Sequence, residues 1–155
     1  MKTAVVLSDT HGNRERVAAL LPIMREADYV FFCGDGVSDV LSLEEIAEKL
    51  YAVGGNCDAY GEKEIVLEVE RRKILLTHGH CYGVKHSLTS LALHAEEIGA
   101  DIVLYGHTHS ALAETDEKNT LFVNPGTFSY YTNASSYAYL VIDEKKAVAK
   151  IVPFF

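Results

Sequence analysis

Side chains that could bind a metal ion follow five apolar runs of the chain, each close to the point where the run ends. They are aspartates, an asparagine and imidazoles, so oxygen and nitrogen donors are available and no thiolate is required. Donors of this kind suit borderline divalent ions such as Mn²⁺, Fe²⁺, Zn²⁺ or Ni²⁺. The candidate ligands are Asp9, His11, Asp35, Asn56, His78, His107 and His109.

Seven donors are more than one catalytic ion needs, because a catalytic site keeps open positions for water and substrate. Two ions that share one carboxylate account for the number. Such a pair, ~3.5–4 Å apart, can stabilise the attacking and the leaving oxygen of an in-line displacement at phosphorus. Any one of these short motifs occurs often by chance. Their order after five strand-like runs is what indicates a hydrolase of phosphate esters.

Short apolar runs that alternate with helix-like stretches must position these ligands. Residues 3–8, 29–33, 51–53, 74–77 and 102–105 are rich in Val, Ile and aromatic residues, which is typical of buried strands. The carboxyl ends of strands in an α/β sheet converge on one edge, where ligands bind. Donors from five strand ends should therefore meet in one cleft. Glycines that allow sharp backbone turns there are Gly12, Gly34, Gly55, Gly79 and Gly106.

Cap residues and apolar spacing predict helices between the strands. Asn13 could cap the first helix, which Pro22 should kink or shorten. Ser42 begins a capping-box pattern, and Ser87 opens a further helix that Gly99 ends. The later segments 65–69, 112–115, 120–124, 137–142 and 148–152 are predicted strands separated by turn residues. Two sheets with helices outside are the simplest arrangement.

Taken in order, the ligand motifs resemble those of the calcineurin-like metallophosphoesterases. They are Asp9-x-His11, Gly34-Asp35, Gly55-Asn56, His78-Gly79 and Gly106-His107-x-His109. The small size, Gly55-Asn56-Cys57-Asp58 and the later Asn124-Pro125-Gly126 resemble the short YfcE-type branch, over residues 3 to about 127. The resemblance implies an α/β (α+β) fold, namely a four-layer α-β-β-α sandwich with two mixed β-sheets flanked by helices. A dinuclear site would lie at one edge of the sheets.

The resemblance also implies which residues hold each ion and how the ester is cleaved. Asp9, His11, Asp35 and His109 would bind the first ion, with Asp35 bridging, and Asn56, His78 and His107 would complete the second. A hydroxide between the ions would attack phosphorus. The implied activity is a phosphodiesterase for small phosphodiesters, in a single domain of residues 1–155. Mn²⁺ suits the donors best, with Ni²⁺, Fe²⁺ or Zn²⁺ as alternatives.

Two departures from the family pattern lie close to the ligands. Asp39 comes one residue later than the second acid of the usual Gly-Asp-x-x-Asp motif, so we expect a turn or cap residue there. Cys57 stands where many members carry a histidine that protonates the leaving group. A thiol is a poor substitute near neutral pH, since its reference pKa is ~8.5 against ~6.5 for imidazole.

His80 is the nearest spare imidazole in the sequence. It could contact substrate or share the acid role, or else form a hydrogen bond with a metal ligand. Cys57 and His80 are therefore the catalytic candidates.

Composition, net charge and cysteine content limit the domain number, the binding partners and the cellular compartment. The 155 residues fit one domain of ~100–200 residues, and 48% hydrophobic against 23% charged residues is a globular composition. Fourteen basic and 22 acidic side chains give a net charge of −8 without a basic run, so binding to a nucleic-acid backbone is not expected. No apolar run approaches the ~18 residues of a membrane helix, and no signal peptide is expected. Three cysteines without a CxxC pair suit a reducing cytoplasm.

A non-catalytic scaffold on the same fold, as in the retromer subunit that resembles this family, is the alternative hypothesis. The seven intact donors favour an enzyme, whose partner would be a small phosphoester. Tyr130, Tyr131 and Tyr137 and the apolar segment Pro153-Phe154-Phe155 could pack in the core or mark a self-association surface. We expect a homo-oligomer, either a dimer or a tetramer.

Overall fold

Ten strands and a few short helices make up the computed structural model, which describes residues 1–132 and 134–154. The strands are β1 (Lys2–Leu7), β2 (Tyr29–Phe32), β3 (Leu50–Ala52), β4 (Glu64–Val69), β5 (Arg72–Thr77), β6 (Ile102–Leu104), β7 (Leu112–Thr115), β8 (Leu121–Asn124), β9 (Ser136–Ile142) and β10 (Ala147–Pro153). The α-helices are α1 (Arg14–Ala19), α2 (Leu21–Glu26), α3 (Val37–Leu41) and α4 (Thr89–Ile98). Two 3₁₀ helices span Glu44–Lys49 and His80–Tyr82.

The strands form two mixed sheets of five strands each. The first has the order β10-β9-β1-β2-β3, in which β1, β2 and β3 are parallel and β9 and β10 are antiparallel additions. The second has the order β4-β5-β6-β8-β7, with β5, β6 and β8 parallel and an antiparallel strand at each edge. Parallel strands at the centre of both sheets give each sheet an edge where successive strands end together.

Side chains that alternate along the strands create four layers. Val6 of β1 lies in the apolar core between the sheets, whereas its neighbour Leu7 packs on the outer side with Met24 of α2. On the outer side of the second sheet, Leu75 packs with Leu91 of α4. Successive residues of a strand point to opposite faces, so each central strand supports two cores. The predicted α-β-β-α sandwich is therefore confirmed.

Several local predictions are also confirmed. The Asn13 side chain caps α1 by accepting a hydrogen bond from the Arg16 N–H. Pro22 lies in the first turn of α2, so the expected single helix is divided into α1 and α2. Gly99, in the left-handed region with φ 72°, ends α4. In each case a residue type with a strong local preference decides where a helix begins or ends.

The capping-box prediction at Ser42 is wrong. Ser42 is the last cap residue of α3, and its hydroxyl donates to the Asp39 carbonyl at 3.1 Å instead of capping the following segment. That segment, Glu44–Lys49, is a 3₁₀ helix without a side-chain cap. The sequence did not reveal α3, because five residues are too few to show an apolar period. None of the helices in the described ranges has the length and apolar character needed to cross a membrane.

The two alternatives for the aromatic segments are now partly decided. Tyr137 is buried, and Phe154 packs against Tyr137 and Phe128 with ring centroids 5.9 and 5.6 Å away. These rings belong to the core, whereas Tyr130 and Tyr131 are exposed. Phe155 lies outside the described residues.

Candidate metal centre

The predicted ligands meet at one edge of the two sheets because each follows the carboxyl end of a parallel strand. Asp9 and His11 follow β1, Asp35 follows β2, Asn56 follows β3, His78 follows β5, and His107 and His109 follow β6. The two sheets are in contact here, since His78 Nε2 of the second sheet lies 3.2 Å from Asp35 Oδ2 of the first. Donors that are up to about a hundred residues apart in sequence therefore share one cleft.

Several of these ligands have an unusual backbone conformation. Eight non-glycine residues in the described ranges have a positive φ, and five of them are predicted ligands: Asp9, His11, Asp35, His107 and His109. Such conformations cost free energy for residues with a Cβ, and they persist only where the surrounding structure imposes them. The strain is thus concentrated where the side chains must point into the cleft.

Asp9, His11 and His109 form the first group of donors. Asp9 Oδ1 lies 3.1 Å from His109 Nε2 and 3.6 Å from His11 Nε2, and the two imidazole nitrogens are 3.4 Å apart. Asp9 is fully buried, and its Oδ1 has no hydrogen-bond partner among the described residues. The other oxygen, Oδ2, accepts hydrogen bonds from the His107 N–H and the Ser8 hydroxyl. This leaves one carboxylate oxygen directed at two imidazoles.

Asp35, His78 and His107 form the second group, to which Asn56 is adjacent. His78 Nδ1 donates a hydrogen bond to the Cys33 carbonyl at 2.7 Å, which directs Nε2 into the cleft. Around His78 Nε2 lie Asn56 Oδ1 at 3.0 Å, His107 Nδ1 at 3.1 Å and Asp35 Oδ2 at 3.2 Å. Four donor atoms at these separations are suited to surrounding a cation.

The charges in the second group favour one positive charge at its centre. Burial opposes a charge on His78, but its hydrogen bond with Asp35 and the charge of Asp9 raise the pKa of this imidazole. Burial and the charge of His78 lower the pKa of His107, which therefore favours the neutral form able to bind a metal. Since metal ligands must be deprotonated, a cation that binds here would displace the proton of His78.

Asp35 lies between the two groups. Its Oδ2 is 3.2 Å from His78 Nε2 and 3.8 Å from His11 Nε2, while Oδ1 accepts a hydrogen bond from the Cys57 N–H at 2.8 Å. Burial opposes its ionisation, but the hydrogen bonds from His78 and from the Cys57 N–H hold its pKa well below the usual range. One ionised carboxylate thus faces histidines of both groups.

Asp58 organises the loops that carry Asp35 and Asn56. Its Oδ2 accepts hydrogen bonds from the N–H groups of Asp35 and Gly55, both at 2.8 Å. Its Oδ1 accepts from the N–H groups of Gly36 and Val37 at 2.9 and 3.2 Å. In the sequence, Asp58 stands out only as the last residue of the Gly55-Asn56-Cys57-Asp58 motif and has no predicted role. Nothing about an aspartate in a polar turn indicates in advance that it will join two strand ends.

Asp39 supports the loop after β1. It is buried, and its carboxylate accepts hydrogen bonds from the Thr10 hydroxyl at 2.6 Å, the Gly12 N–H at 2.8 Å and Arg14 Nε at 3.2 Å. The expectation of a turn or cap residue is wrong, because Asp39 lies within α3 and its carboxylate stabilises the neighbouring loop after β1.

Two glycines explain how the ligand loops approach one another so closely. A Cβ on Gly55 would lie 2.1 Å from Asp35 Oδ1, and a Cβ on Gly106 would lie 2.6 Å from Asp9 Oδ2. Any side chain at either position would displace a carboxylate of the site. The expectation that glycines bring the ligands together is confirmed at these positions.

The two catalytic candidates lie at the rim of the cleft. Cys57 is exposed, and its Sγ lies within 4.8 Å of the donor atoms of His11 and Asp35. Burial and the charge of Asp35 raise the pKa of the thiol. The His80 ring centroid is 5.4 Å from that of His78 and 6.0 Å from that of His107. Burial and the charge of His78 lower the pKa of His80.

Comparison with known sequences places the chain in a family. The sequence model of the calcineurin-like phosphoesterase superfamily domain matches residues 1–147. The chain is 34% identical to the probable metallophosphoesterase YsnB of Bacillus subtilis, with 94% of this chain and 88% of that protein covered. It is 30% identical to the phosphodiesterase YfcE of Escherichia coli, with 92% and 88% covered. The predicted resemblance to the YfcE branch is confirmed.

Comparison with solved structures supports the same fold. A structure from Streptococcus pneumoniae, described as a predicted phosphoesterase, has a TM-score of 0.82 and 30% identity over 98% of this chain and 89% of that chain. Vacuolar protein sorting 29 from Cryptosporidium parvum has a TM-score of 0.78 over 99% and 97% of the two chains, but its 19% identity shows the fold alone. From the sequence match over residues 1–147, the chain belongs to the calcineurin-like phosphoesterase superfamily.

Proposed function

We propose that the protein is a phosphodiesterase that uses two divalent transition-metal ions to hydrolyse small phosphodiesters. The observation that carries the proposal is Asp9 Oδ1, which is buried, faces His11 and His109, and has no hydrogen-bond partner among the described residues. A buried carboxylate oxygen without a partner is costly, and a cation in front of it would remove that cost. The names of the YsnB and YfcE relatives support the reaction class.

The residues present fit two ions. Asp9, His11, Asp35 and His109 would hold the first, and Asn56, His78 and His107 would hold the second, with Asp35 shared. Four imidazoles and an amide favour Mn²⁺, with Ni²⁺, Fe²⁺ or Zn²⁺ as alternatives, because Mg²⁺ prefers oxygen ligands and retains its waters. Bound divalent ions supply a nucleophile from water at neutral pH and offset the charge of the phosphate.

The contribution of the chain itself is to fix the donors before the substrate arrives. The Cys33 carbonyl fixes the orientation of His78, the Cys57 N–H fixes Asp35, and the His107 N–H fixes Asp9. Each contact is made by the backbone, so the donor positions depend little on flexible side chains. Preorganised donors of this kind reduce the rearrangement needed in the transition state.

Two groups could deliver a proton to the departing oxygen. The raised pKa of Cys57 keeps its Sγ protonated near neutral pH, and it lies beside the donors of His11 and Asp35. His80 lies near His78 and His107 at the other side of the cleft. A thiol with a raised pKa is a weak general acid near neutral pH, so Cys57 would give little help to a poor leaving group, and we assign substrate contact to His80.

The proposed substrate is a small phosphoester and not a nucleic-acid backbone. With a net charge of −8, the chain repels a polyanion except at the metal centre itself. Cys33, Cys57 and Cys81 are free thiols, which fits the proposed cytoplasmic location. A homodimer or tetramer stays a prediction.

Metal content and hydrolysis, measured on the same sample, test the proposal. The protein is treated with a chelator, reloaded with Mn²⁺, and assayed by elemental analysis and with bis-p-nitrophenyl phosphate. We expect two ions per chain and hydrolysis that the chelated protein lacks. His86→Ala is a suitable control because His86 is exposed and outside the ligand set, so it should retain both ions. A protein that binds no metal under these conditions would refute the proposal.

A scaffold is the second candidate, since the fold is shared with vacuolar protein sorting 29. The scaffold hypothesis predicts that metal binds but no phosphodiester is hydrolysed. The complete set of donors argues for the enzyme, because a scaffold has no chemical need for all seven. The assay above separates the two directly.

A further inference from the structure

A cavity lies beside the first group of donors. It has a volume of about 180 Å³ and is lined by His11, His109, Ser129, Tyr131 and Thr132. The first two residues are proposed metal ligands, and the others belong to the segment between β8 and β9. A cavity of about 150 Å³ can hold a benzene ring, so this space accommodates one aromatic ring.

Tyr131 contributes an exposed aromatic ring to this cavity. Its exposed fraction is 96%, although Phe128 in the same segment is fully buried and stacks on Phe154. Phe128 is therefore the aromatic side chain that this segment contributes to the core. The described packing gives no structural reason for the second ring, that of Tyr131, to lie in solvent. Exposed aromatic side chains at a site commonly bind a ligand, because they offer a large flat surface.

Backbone and side-chain contacts tie this segment to the metal centre. The Thr127 hydroxyl and the Phe128 N–H both donate to the Asp9 carbonyl, at 2.7 and 3.2 Å. The Asn13 side chain donates to the Phe128 carbonyl at 2.8 Å, and the Tyr131 N–H donates to the Ser129 hydroxyl at 3.2 Å. The position of Tyr131 is therefore coupled to that of Asp9.

The charge of the lining residues indicates which part of a substrate would bind in the cavity. None of its described lining residues carries a carboxylate, an ammonium or a guanidinium group. Apart from the ion that His11 and His109 would hold, a second phosphate would find no positive partner among the described lining residues, and a cationic group would find no negative one. The lining suits an uncharged, flat group attached to the phosphate that the metals bind.

Building on the proposed phosphoesterase function, we propose that this cavity is a subsite for an aromatic ring carried by the phosphate ester, either an aryl group or a nucleobase, with Tyr131 stacking on the ring. The substrate class is thus narrowed to small phosphodiesters with an aromatic substituent. Tyr131 acts as a specificity residue, since the metal ligands bind the phosphate whatever group it carries.

Binding of small phosphonates and phosphate monoesters to the Mn²⁺-loaded protein tests the subsite. Isothermal titration calorimetry would compare phenylphosphonate with methylphosphonate, and uridine 5′-monophosphate with ribose 5-phosphate. Stacking of one ring on an aromatic side chain gives about a tenfold gain in affinity. We expect this gain in at least one of the two pairs. A gain for phenylphosphonate would identify the ring as an aryl group, and a gain for the nucleotide would identify it as a nucleobase. Tyr131→Ala should bring the ratio of the affinities for the aromatic and the non-aromatic ligand close to one, whereas Tyr131→Phe should retain the wild-type ratio.

Tyr130→Ala provides the matched control. Tyr130 is also exposed, but it lines a different cavity with Asn13 and Arg16, so its removal should leave both ratios unchanged. The inference is overturned if neither pair shows a preference for the aromatic ligand, or if Tyr131→Ala leaves the preference intact. Hydrolysis of bis-p-nitrophenyl phosphate without any ring preference would refute the subsite alone. Ring preference without hydrolysis would refute the proposed catalysis alone.

Discussion

Asp58 is the residue whose replacement gives the sharpest test of how the site is built. Its two carboxylate oxygens accept four backbone N–H groups from the loops after β2 and β3. Asp58→Asn keeps the size of the side chain but replaces one acceptor oxygen by an NH₂ group. Whichever way the amide is turned, two backbone N–H groups face another donor. The substitution therefore removes two hydrogen bonds without creating a cavity.

The expected loss follows from those two contacts. A hydrogen bond contributes about 0.5–1.5 kcal/mol net, and the upper half of this range suits a carboxylate acceptor that is only half-buried, so two lost bonds correspond to about 2–3 kcal/mol. For a chain of about this length, 1 kcal/mol shifts the melting temperature by ~2–4 °C. Asp58→Asn should therefore lower Tm by about 4–12 °C. Because Asp35 and Asn56 lie on the loosened loops, Mn²⁺ affinity should also fall, by about 10–100-fold as for other residues that support metal ligands.

Asp143→Asn is the matched control for this prediction. Asp143 also accepts two backbone N–H groups, those of Lys145 and Lys146, but both bind Oδ1. An asparagine can retain both bonds with its one carbonyl oxygen, so Tm and Mn²⁺ affinity should stay near the wild-type values. Thermal unfolding of metal-free protein and Mn²⁺ titration by calorimetry provide the two measurements. Equal Tm values for the two variants would show that the hydrogen bonds of Asp58 do not stabilise the loops after β2 and β3.

Three further substitutions or treatments test the ligand assignments. Asp35→Ala should abolish hydrolysis and reduce metal content towards zero, whereas His109→Ala should lose mainly one ion; wild-type metal content in Asp35→Ala, measured by elemental analysis, would contradict the shared carboxylate. After chelation, Mn²⁺ should restore hydrolysis better than Mg²⁺, because nitrogen ligands suit Mg²⁺ poorly; full activity with Mg²⁺ alone in metal-free buffer would argue against the ligand set. Cys57→His should raise the rate for alkyl leaving groups by up to about 10²–10⁴-fold, while leaving nitrophenyl esters nearly unchanged, because only the alkoxide needs a positioned acid. Rates for a matched alkyl and nitrophenyl pair decide this, and an unchanged ratio with intact metal content would remove position 57 from proton transfer.

The clustering of the candidate ligands could be predicted from the sequence, because two independent signals coincide at these residues. Asp35 and His78, for example, have side chains suited to metals, and each lies within three residues of the end of a strand formed mainly by buried apolar residues. Strand ends in a sheet are close in space even when they are distant in sequence, so the topology converts the linear pattern into a cluster. The fold class followed from the same alternation of strands and helices.

The residues that hold the ligand loops in place could not be predicted, because their roles depend on contacts between elements that are distant in sequence. Asp58 is one aspartate in a polar turn, and its importance depends on the loop after β2 lying next to the loop after β3. Tyr131 is one of several tyrosines, and it lines a cavity with His11 on a segment that the hydrogen bond from the Thr127 hydroxyl to the Asp9 carbonyl ties to the loop after β1. Ser42 shows the opposite case, in which a local capping pattern is present but α3 already uses that residue.

Unfavourable free-energy contributions at the site indicate that the folded protein binds cations there. Asp9 combines a positive φ, full burial and an Oδ1 that has no hydrogen-bond partner in the described part of the chain, and each of these features is unfavourable by itself. The hydrogen bonds around Asp9 fix the loop and the other oxygen, while Oδ1 faces the imidazoles of His109 and His11. Strain that is imposed by the fold and left without compensation in the protein is expected where a bound group supplies the missing interaction. The same carboxylate that is least favourable in the protein alone is therefore the one best prepared to bind a metal ion.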